Sequence, residues 1–250
     1  MSGNISKAMI LAAGEGTRLR PLTLQTPKVL LPIAGVPLIQ YTLSWLKSHN
    51  ISDIAINLYH LGSEIEAFLG DGLRFGVTIH YSSEKELLGT AGGVKKLDKF
   101  FDDTFVVIYG DNLTDLDLSA MVDFHQEKKA IATLALFETT NSQEVGVVNV
   151  ESDGKISGLV EKPKFPLPDP QSQVLANGAV YALEKNVLNY IPRGTSCDFA
   201  YDIFPKLIDL DLPVYGYVLD PQDYLIDIGT IDKYHKVNED VKAGRVKIKI

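Results

Sequence analysis

Short apolar runs alternate with amphipathic stretches through the first half of the chain, and that rhythm narrows the fold more than any other feature. Residues 9–12 read as a strand ending in a glycine turn, residues 54–58 as a second strand and residues 77–81 as a third. Residues 105–109, apolar throughout, read as a fourth. Between them, residues 37–49 carry Leu38, Ile39, Leu43 and Leu46 on one helical face. Ser63 and Glu66 stand as a capping box for a helix through Leu69, and another helix starts near Thr90. Such strands, separated by helices, predict a mostly parallel sheet covered on both sides.

The second half is more mixed. Residues 118–128 predict a helix capped by Asp117, and residues 131–137, 145–151 and 155–160 predict strands, the last two joined at Asp153-Gly154. Further strands are expected at 174–183 and 213–219. A helix is expected over 199–210, with Pro205 kinking or breaking it, and Thr230 caps a last one running toward Ala243. No repeat or flexible linker separates the halves, and the proline-rich stretch 163–170 reads as a loop. The expectation is one α/β domain over 1–250, with a nucleotide-binding half to about residue 112 and a substrate half over about 113–245.

Composition excludes several classes. One cysteine, Cys197, permits no internal disulfide framework, and metal-binding cysteine spacings are absent, so a reducing, cytoplasmic setting fits. The apolar run 8–13 is stopped by Gly14-Glu15-Gly16, too short for a signal-peptide core, and no run is long enough to span a bilayer. A formal net charge of -8 disfavours generic nucleic-acid binding. A small anionic ligand would need local cations, backbone amides or a metal. The five histidines show no metal-ligand spacing and read as structural or surface residues, and Trp45 as core or interface packing.

Those requirements point to residues 11–21, Leu-Ala-Ala-Gly-Glu-Gly-Thr-Arg-Leu-Arg-Pro, directly after the first strand. Glycines there let backbone N–H groups approach a phosphate closely. The loop is not a P-loop, because Gly16 is followed by Thr17-Arg18 rather than Lys-Ser/Thr. Nor is it a dinucleotide loop, because position 19 is Leu19 and the second strand carries Asn57 where an acid is wanted. Taken alone it reads equally well as a tight strand-to-helix turn with a surface arginine. Pro21, Pro27, Pro32 and Pro37 then forbid a continuous helix, giving a stiff loop that carries Arg18, Arg20 and Lys28.

With Pro27-Lys28 after it, this loop resembles the Gly-x-Gly-Thr-Arg-Leu-x-Pro…Pro-Lys motif of the sugar-1-phosphate nucleotidyltransferase family. Leu88-Gly89-Thr90-Ala91-Gly92, Gly110-Asp111, Glu161-Lys162-Pro163 and Asp227-Ile228-Gly229-Thr230 match further family segments in order. The resemblance covers essentially the whole chain, and residues 88–92 look most like the mannose-1-phosphate or heptose-1-phosphate guanylyltransferase branch. It implies an α/β nucleotide-diphospho-sugar transferase fold, Rossmann-like, with a central mixed, mostly parallel sheet flanked by helices. Many relatives add a C-terminal left-handed β-helix; here the chain stops soon after its last helix, so that domain is not expected. The resemblance also implies Mg²⁺, an NTP and a sugar 1-phosphate as partners, and displacement at the α-phosphorus. Neither nucleic acid nor a membrane is expected as a partner, and homo-oligomerisation is left open.

Residue by residue, the resemblance implies nucleotide contacts from Leu11, Ala12, Ala13, Gly14, Gly16, Thr17, Arg18, Lys28, Glu84, Gly89, Thr90, Ala91 and Asp111. It assigns Arg18 to the leaving pyrophosphate, Lys28 to the α-phosphate and Lys162 to the sugar phosphate. Asp111 and Asp227 would hold the metal; both interrupt apolar strand ends, where a carboxylate must find a partner. Asn112, Gly146, Glu161 and Asn177 would meet the sugar, although Asn177-Gly178 inside an apolar strand also suggests a bulge. Asp198 and Asp202 are weaker candidates, and helix capping explains Asp198 as well. Strand alternation sends Glu161 and Lys162 to opposite faces, so joint service at one site demands a backbone bend near Pro163. Glu84, a carboxylate that only accepts hydrogen bonds, would take guanine's N1–H and 2-amino donors together, predicting GTP over pyrimidine triphosphates and ATP last. Uridylyl and thymidylyl relatives acting on glucose 1-phosphate or an amino-sugar 1-phosphate have closely similar loops. A catalytically silent nucleotide-sugar-binding subunit is the alternative from another class; an NAD-dependent oxidoreductase fails on the glycine pattern.

Overall fold

The computed structural model describes residues 5–143, 145–163, 173–248 and 250. In chain order its elements are β1 (Lys7–Leu11), β2 (Pro32–Ile33), β3 (Val36–Pro37), α1 (Leu38–Ser48), β4 (Asp53–Leu58), α2 (Gly62–Leu69), β5 (Thr78–Ser83), α3 (Gly89–Lys96) and β6 (Phe105–Tyr109). There follow β7 (Asn112–Thr114), α4 (Leu118–Glu127), β8 (Ala132–Thr139), β9 (Gly146–Val150), β10 (Ile156–Glu161), β11 (Val174–Leu183), α5 (Phe204–Asp209), β12 (Val214–Val218), β13 (Leu225–Asp227) and α6 (Ile231–Lys242). The central sheet is mixed and flanked by helices, as expected, and the chain forms two compact units.

The first unit takes the described residues up to Leu87, Val107–Asp117 and those from Gln222 onward. Its strands run in the order β6-β1-β4-β5. The β1–β4 pair is parallel from Lys7↔Asp53 to Leu11↔Asn57, and β4–β5 from Asp53↔Thr78 to Leu58↔Ser83. Residues 54–58 are all buried, which is why the second strand reads as an unbroken run except for Asn57. α1 packs Leu38, Ile39, Leu43, Trp45 and Leu46 inward, and the Trp45 indole donates to the Leu116 carbonyl at 3.0 Å, so Trp45 is core. The Ser63/Glu66 capping box does not form. α2 starts at Gly62, with Leu61 in the left-handed region and no side-chain cap. A side chain at residue 62 would come within 2.9 Å of the Leu58 Cβ, so glycine admits the earlier start.

The second unit holds Leu88–Val106 and the described part of Leu118–Pro221. Here β9 pairs antiparallel with β10 and β11, β8 pairs antiparallel with β11, and β12 runs parallel to β8. The β8–β11 register passes from Asn177↔Leu136 to Tyr181↔Leu134, so β11 is bulged there, as Asn177-Gly178 suggested. The helix expected over 199–210 is two pieces, a wide π-type turn over Phe199–Ile203 and then α5. Pro205 sits in the first turn of α5, where its missing N–H costs nothing. Of the proline-rich stretch, residues 164–170 lie outside the described residues. Among the described residues, no helix is long and apolar enough to cross a membrane.

Candidate active site

In the first unit the carboxyl ends of the parallel strands carry the polar chemistry, as open α/β sheets dispose it. The chain leaves β1 at Leu11 and enters the glycine loop. Gly16 has φ +63, and a Cβ there would stand 2.9 Å from the Thr23 methyl; glycine is required on both counts. Its carbonyl accepts from the Leu19 N–H at 2.9 Å and the Thr23 hydroxyl at 2.7 Å, closing a tight turn that buries Leu19 and leaves Thr17 and Arg18 exposed. Arg20 pairs with Glu15 at the surface, 3.7 Å apart. Lys28 follows Pro27 in a short 3₁₀ turn and ion-pairs with Asp111.

Asp111 stands in the turn between β6 and β7. Gly110 before it has its N–H on the Leu11 carbonyl at 2.9 Å, and a Cβ there would meet that same oxygen at 2.8 Å, so glycine draws the end of β6 against the end of β1. β7 then pairs with β13, setting Asn112 opposite Asp227, while the Ile228 N–H donates to the Asp111 carbonyl at 2.9 Å. This short ladder brings the two acids predicted from distant segments to one place. Asp227 accepts the Gly229 N–H at 2.8 Å and ion-pairs with Lys233. Burial pushes its pKa up, but Lys233, the Gly229 amide and the Lys28 charge outweigh burial and hold it below the ordinary carboxylate value. Lys28 thus acts on both acids. A Cβ at Gly229 would stand 3.0 Å from an Arg18 guanidinium nitrogen, so Arg18 lies over this turn as well. Each acid has a partner, as a carboxylate at an apolar strand end requires, and in each case it is a lysine. Among the described residues no group of three or more His, Cys, Asp and Glu could hold a metal ion. A cation here would meet two protein carboxylates.

A second polar chain crosses the same strand ends. The buried Asn57 side chain accepts the Ala12 N–H at 2.8 Å and donates to Glu84 Oε1 at 2.8 Å. Glu84 is itself buried, directly after β5, and its own N–H donates to the Leu58 carbonyl at 2.7 Å. Ala12 and Ala13 are buried, while Gly14 is exposed with open space at its Cβ position.

The second unit holds Gly89, Thr90, Ala91, Gly146, Glu161, Lys162 and Asn177. The Gly89 loop rests on the backbone of residues 195–198. Gly89 has φ +71, and a Cβ there would be 2.5 Å from the Cys197 carbonyl, which accepts the Ala91 and Gly92 N–H groups at 3.0 and 3.1 Å. Thr90 donates its hydroxyl to Asp198 at 2.8 Å and accepts the Phe199 N–H at 2.9 Å. Asp198 also caps the following turn through the Ala200 and Tyr201 amides. Capping therefore accounts for much of what Asp198 does.

Gly146, Glu161 and Asn177 come together. β9 and β10 set Glu161 opposite Gly146, and a Cβ on Gly146 would overlap a Glu161 carboxylate oxygen and lie 3.4 Å from the Asn177 Cβ. Burial raises the Glu161 pKa; neighbouring Lys162 lowers it and Asp198 raises it further. The bend demanded near Pro163 falls at Lys162, whose φ is +45, and it leaves the Lys162 ammonium 3.8 Å from Glu161. Asn177 spans the bulge, accepting the Ala179 N–H and donating to the Tyr181 hydroxyl, both at 3.0 Å. Asn112, grouped with the sugar residues by resemblance, belongs to the first unit beside Asp227.

Sequence reasoning missed Lys233 and the part played by Asn57. Each left a signal: a lysine in the first turn of a helix opposes the helix dipole, and an amide interrupts the apolar run Ile-Ala-Ile-Asn-Leu.

The chain belongs to the Nucleotidyl transferase family, whose sequence profile matches residues 7–244. It is 41% identical to a UTP–glucose-1-phosphate uridylyltransferase of Synechocystis, over 96% of this chain and 64% of that protein. It is 34% identical to a mannose-1-phosphate guanylyltransferase of Mycobacterium tuberculosis, over 95% of this chain and 65% of the other. The chain thus spans a little under two thirds of the length of each of these relatives. A crystal structure of a putative glucose-1-phosphate thymidylyltransferase from Bacillus anthracis, in complex with sucrose, superposes with a TM-score of 0.83 at 28% identity, covering 98% of this chain and 96% of that one.

Proposed function

We propose that the protein joins an NTP to a sugar 1-phosphate, giving a nucleotide-sugar and pyrophosphate. The observation that carries this is the cluster at the first unit's strand ends, where Lys28 acts on both Asp111 and Asp227 and Arg18 lies over the Gly229 turn. The sugar-phosphate oxygen attacks the α-phosphorus as the bond to the β-phosphate oxygen breaks. The nucleophile is already an anion, so no side chain needs to remove a proton. The protein's work is to hold two anions together and stabilise the charge that develops. Arg18 takes the departing pyrophosphate, Lys28 the α-phosphate and Lys162 the sugar phosphate, with Gly146, Glu161 and Asn177 on sugar hydroxyls. The half of the chain to about residue 112 serves the nucleotide and the rest the sugar phosphate.

Two carboxylates fit a hard cation such as Mg²⁺, which retains waters and phosphate oxygens. Asp111 and Asp227 would hold it, and it would supply charge neutralisation at the phosphates.

For the base we favour guanine, read by Glu84, and for the sugar a mannose- or heptose-type 1-phosphate; a guanylyltransferase stands among the relatives. A uracil reading has its own support, since Asn57 occupies Glu84 Oε1 and a uridylyltransferase is 41% identical. The single cysteine suits a cytoplasmic setting. Four NTPs crossed with sugar 1-phosphates and scored by pyrophosphate release test the proposal. Binding without release for every pair would leave a silent nucleotide-sugar binder in its place.

A further inference from the structure

Asn57 stands on the central strand of three, with Leu11 opposite on one side and Ser82 on the other. It is 2% exposed, and both ends of its amide are engaged. The orientation of that amide is fixed by chemistry. The Ala12 N–H can only donate, so the Asn57 oxygen must face it. The nitrogen end is thereby turned to Glu84, which must present an acceptor in return. The loop's first residue, through Asn57, thus dictates the polarity of the atom that residue 84 turns inward, and with it the atom turned the other way.

We propose that Asn57 is a positioning residue for base selection: by claiming one oxygen of Glu84 it sets which hydrogen-bonding edge residue 84 offers the nucleobase. This rests on the reading of Glu84 as the base contact. With glutamate at 84, an acceptor faces Asn57 and an acceptor faces the base. With Glu84→Gln, the Asn57 amide still demands an acceptor, so the glutamine oxygen turns inward and its NH₂ meets the base. A donor there opposes the N1–H of guanine and the N3–H of uracil and suits the unprotonated N1 of adenine. Restoring an acceptor edge requires inverting the partner as well. In Asn57→Asp with Glu84→Gln, the aspartate accepts from both Ala12 and the glutamine NH₂, and the glutamine oxygen faces the base again. Asn57→Asp alone sets two carboxylates against each other, and they share a proton with one pKa raised.

The test is equilibrium titration of wild type and the three variants with GTP, UTP and ATP, alongside thermal unfolding and pyrophosphate release. Glu84→Gln should weaken GTP and UTP by about tenfold or more, the loss of one charge-assisted hydrogen bond, and shift the ATP preference upward by a similar factor. Asn57→Asp should bind GTP and UTP progressively worse as pH rises from 6 to 8. The double variant should return to within about threefold of wild-type selectivity and lose that pH dependence. If Glu84→Gln alters selectivity but the double variant is no better than the two losses multiplied, the positioning role is wrong and the base contact stands. If Glu84→Gln weakens all three triphosphates equally, the base contact and the inference fall together. Should Asn57→Asp not fold, the ATP-to-GTP ratio of Glu84→Gln decides alone, an unchanged ratio overturning the inference. Intact selective binding without pyrophosphate release would sink the proposed reaction and leave this inference untouched.

Discussion

Adding one methyl group at Gly146 separates a positioning glycine from a structural one. The new Cβ would overlap a carboxylate oxygen of Glu161 and sit 3.4 Å from the Asn177 Cβ. The overlapped atom is the end of a flexible side chain, so the carboxylate must retreat on the order of 1 Å while the strands stay in register. An off-rotamer glutamate costs about 0.5–1.5 kcal/mol, and for a chain of this size about 1 kcal/mol moves Tm by roughly 2–4 °C. A 1 Å misplacement of a substrate-positioning group, by contrast, costs up to about 10²-fold in rate. Gly146→Ala should therefore lower kcat/KM for the sugar phosphate by about 10- to 100-fold, with KM for the NTP within about twofold of wild type. Gly89→Ala is the control. There the methyl meets the Cys197 carbonyl at 2.5 Å at a φ of +71, so backbone must move. Left-handed strain of about 1–2 kcal/mol and overpacking of about 1–3 kcal/mol should lower Tm well beyond the Gly146 variant. Steady-state kinetics with each substrate varied, and thermal unfolding, read both. Unchanged sugar-phosphate kinetics for Gly146→Ala at wild-type Tm would refute the placement of Glu161 on the sugar.

Asp111→Asn and Asp227→Asn should each cut kcat by about 10² or more in pyrophosphate-release assays; near-normal turnover in a folded variant would remove the metal assignment. Lys162→Ala should weaken sugar-phosphate binding by about 1.5–3 kcal/mol and spare the NTP, while Arg18→Ala should do the reverse, as separate titrations with each ligand would reveal. His125 is 1% exposed, with its ring nitrogens on Thr133 at 2.8 Å and Glu184 at 3.3 Å. Burial holds its pKa below the ordinary value although Glu184 opposes the shift, so the unfolded chain binds the extra proton first as pH falls below about 6.5. Stability contributed by neutral His125 is then complete above about pH 6.5 and declines below it, at no more than about 1.4 kcal/mol per pH unit. Chemical unfolding from pH 7.5 to 5.5 should have a steeper acid loss in wild type than in His125→Asn, and equal slopes would contradict a buried neutral ring.

The first unit was legible because its signals are local. β1, β4 and β6 announce themselves as apolar runs because most of their residues are buried; they and β5, whose Thr78, His80 and Ser83 are exposed, fall within a few residues of their predicted places. What the sequence concealed is pairing between distant residues. β7 and β13 are three residues each, too short for periodicity, yet their ladder is what brings Asp227 to Asp111. The lost capping box at Ser63 has the same origin: local propensity favoured one start for α2, and the close approach of Gly62 to Leu58 selected another.

The candidate site divides along the same line. Residues in motifs, Arg18, Lys28, Asp111, Glu161 and Lys162, could be named from the chain because the segments that carry them resemble those of a known family; the glycines and prolines around them alone left ordinary turns and surface charges equally open. Their partners could not. Gly146 could be named only by resemblance, and its close approach to Glu161 emerges from the strand pairing; Lys233 reads as a helix-surface lysine until it closes on Asp227. Asn57 is the sharpest case. Taken from sequence, it was the residue that excluded a dinucleotide site, a polar side chain in the wrong place. In three dimensions the same amide satisfies a loop N–H that would otherwise be buried without a partner, and in doing so it orients an acid at the next strand end. A buried amide with an unambiguous donor on one side transmits polarity to the other, so residues lining such a site are not independent choices. On the proposed reading of residue 84 as the base contact, a glutamine there could offer the base an acceptor only if position 57 changed with it.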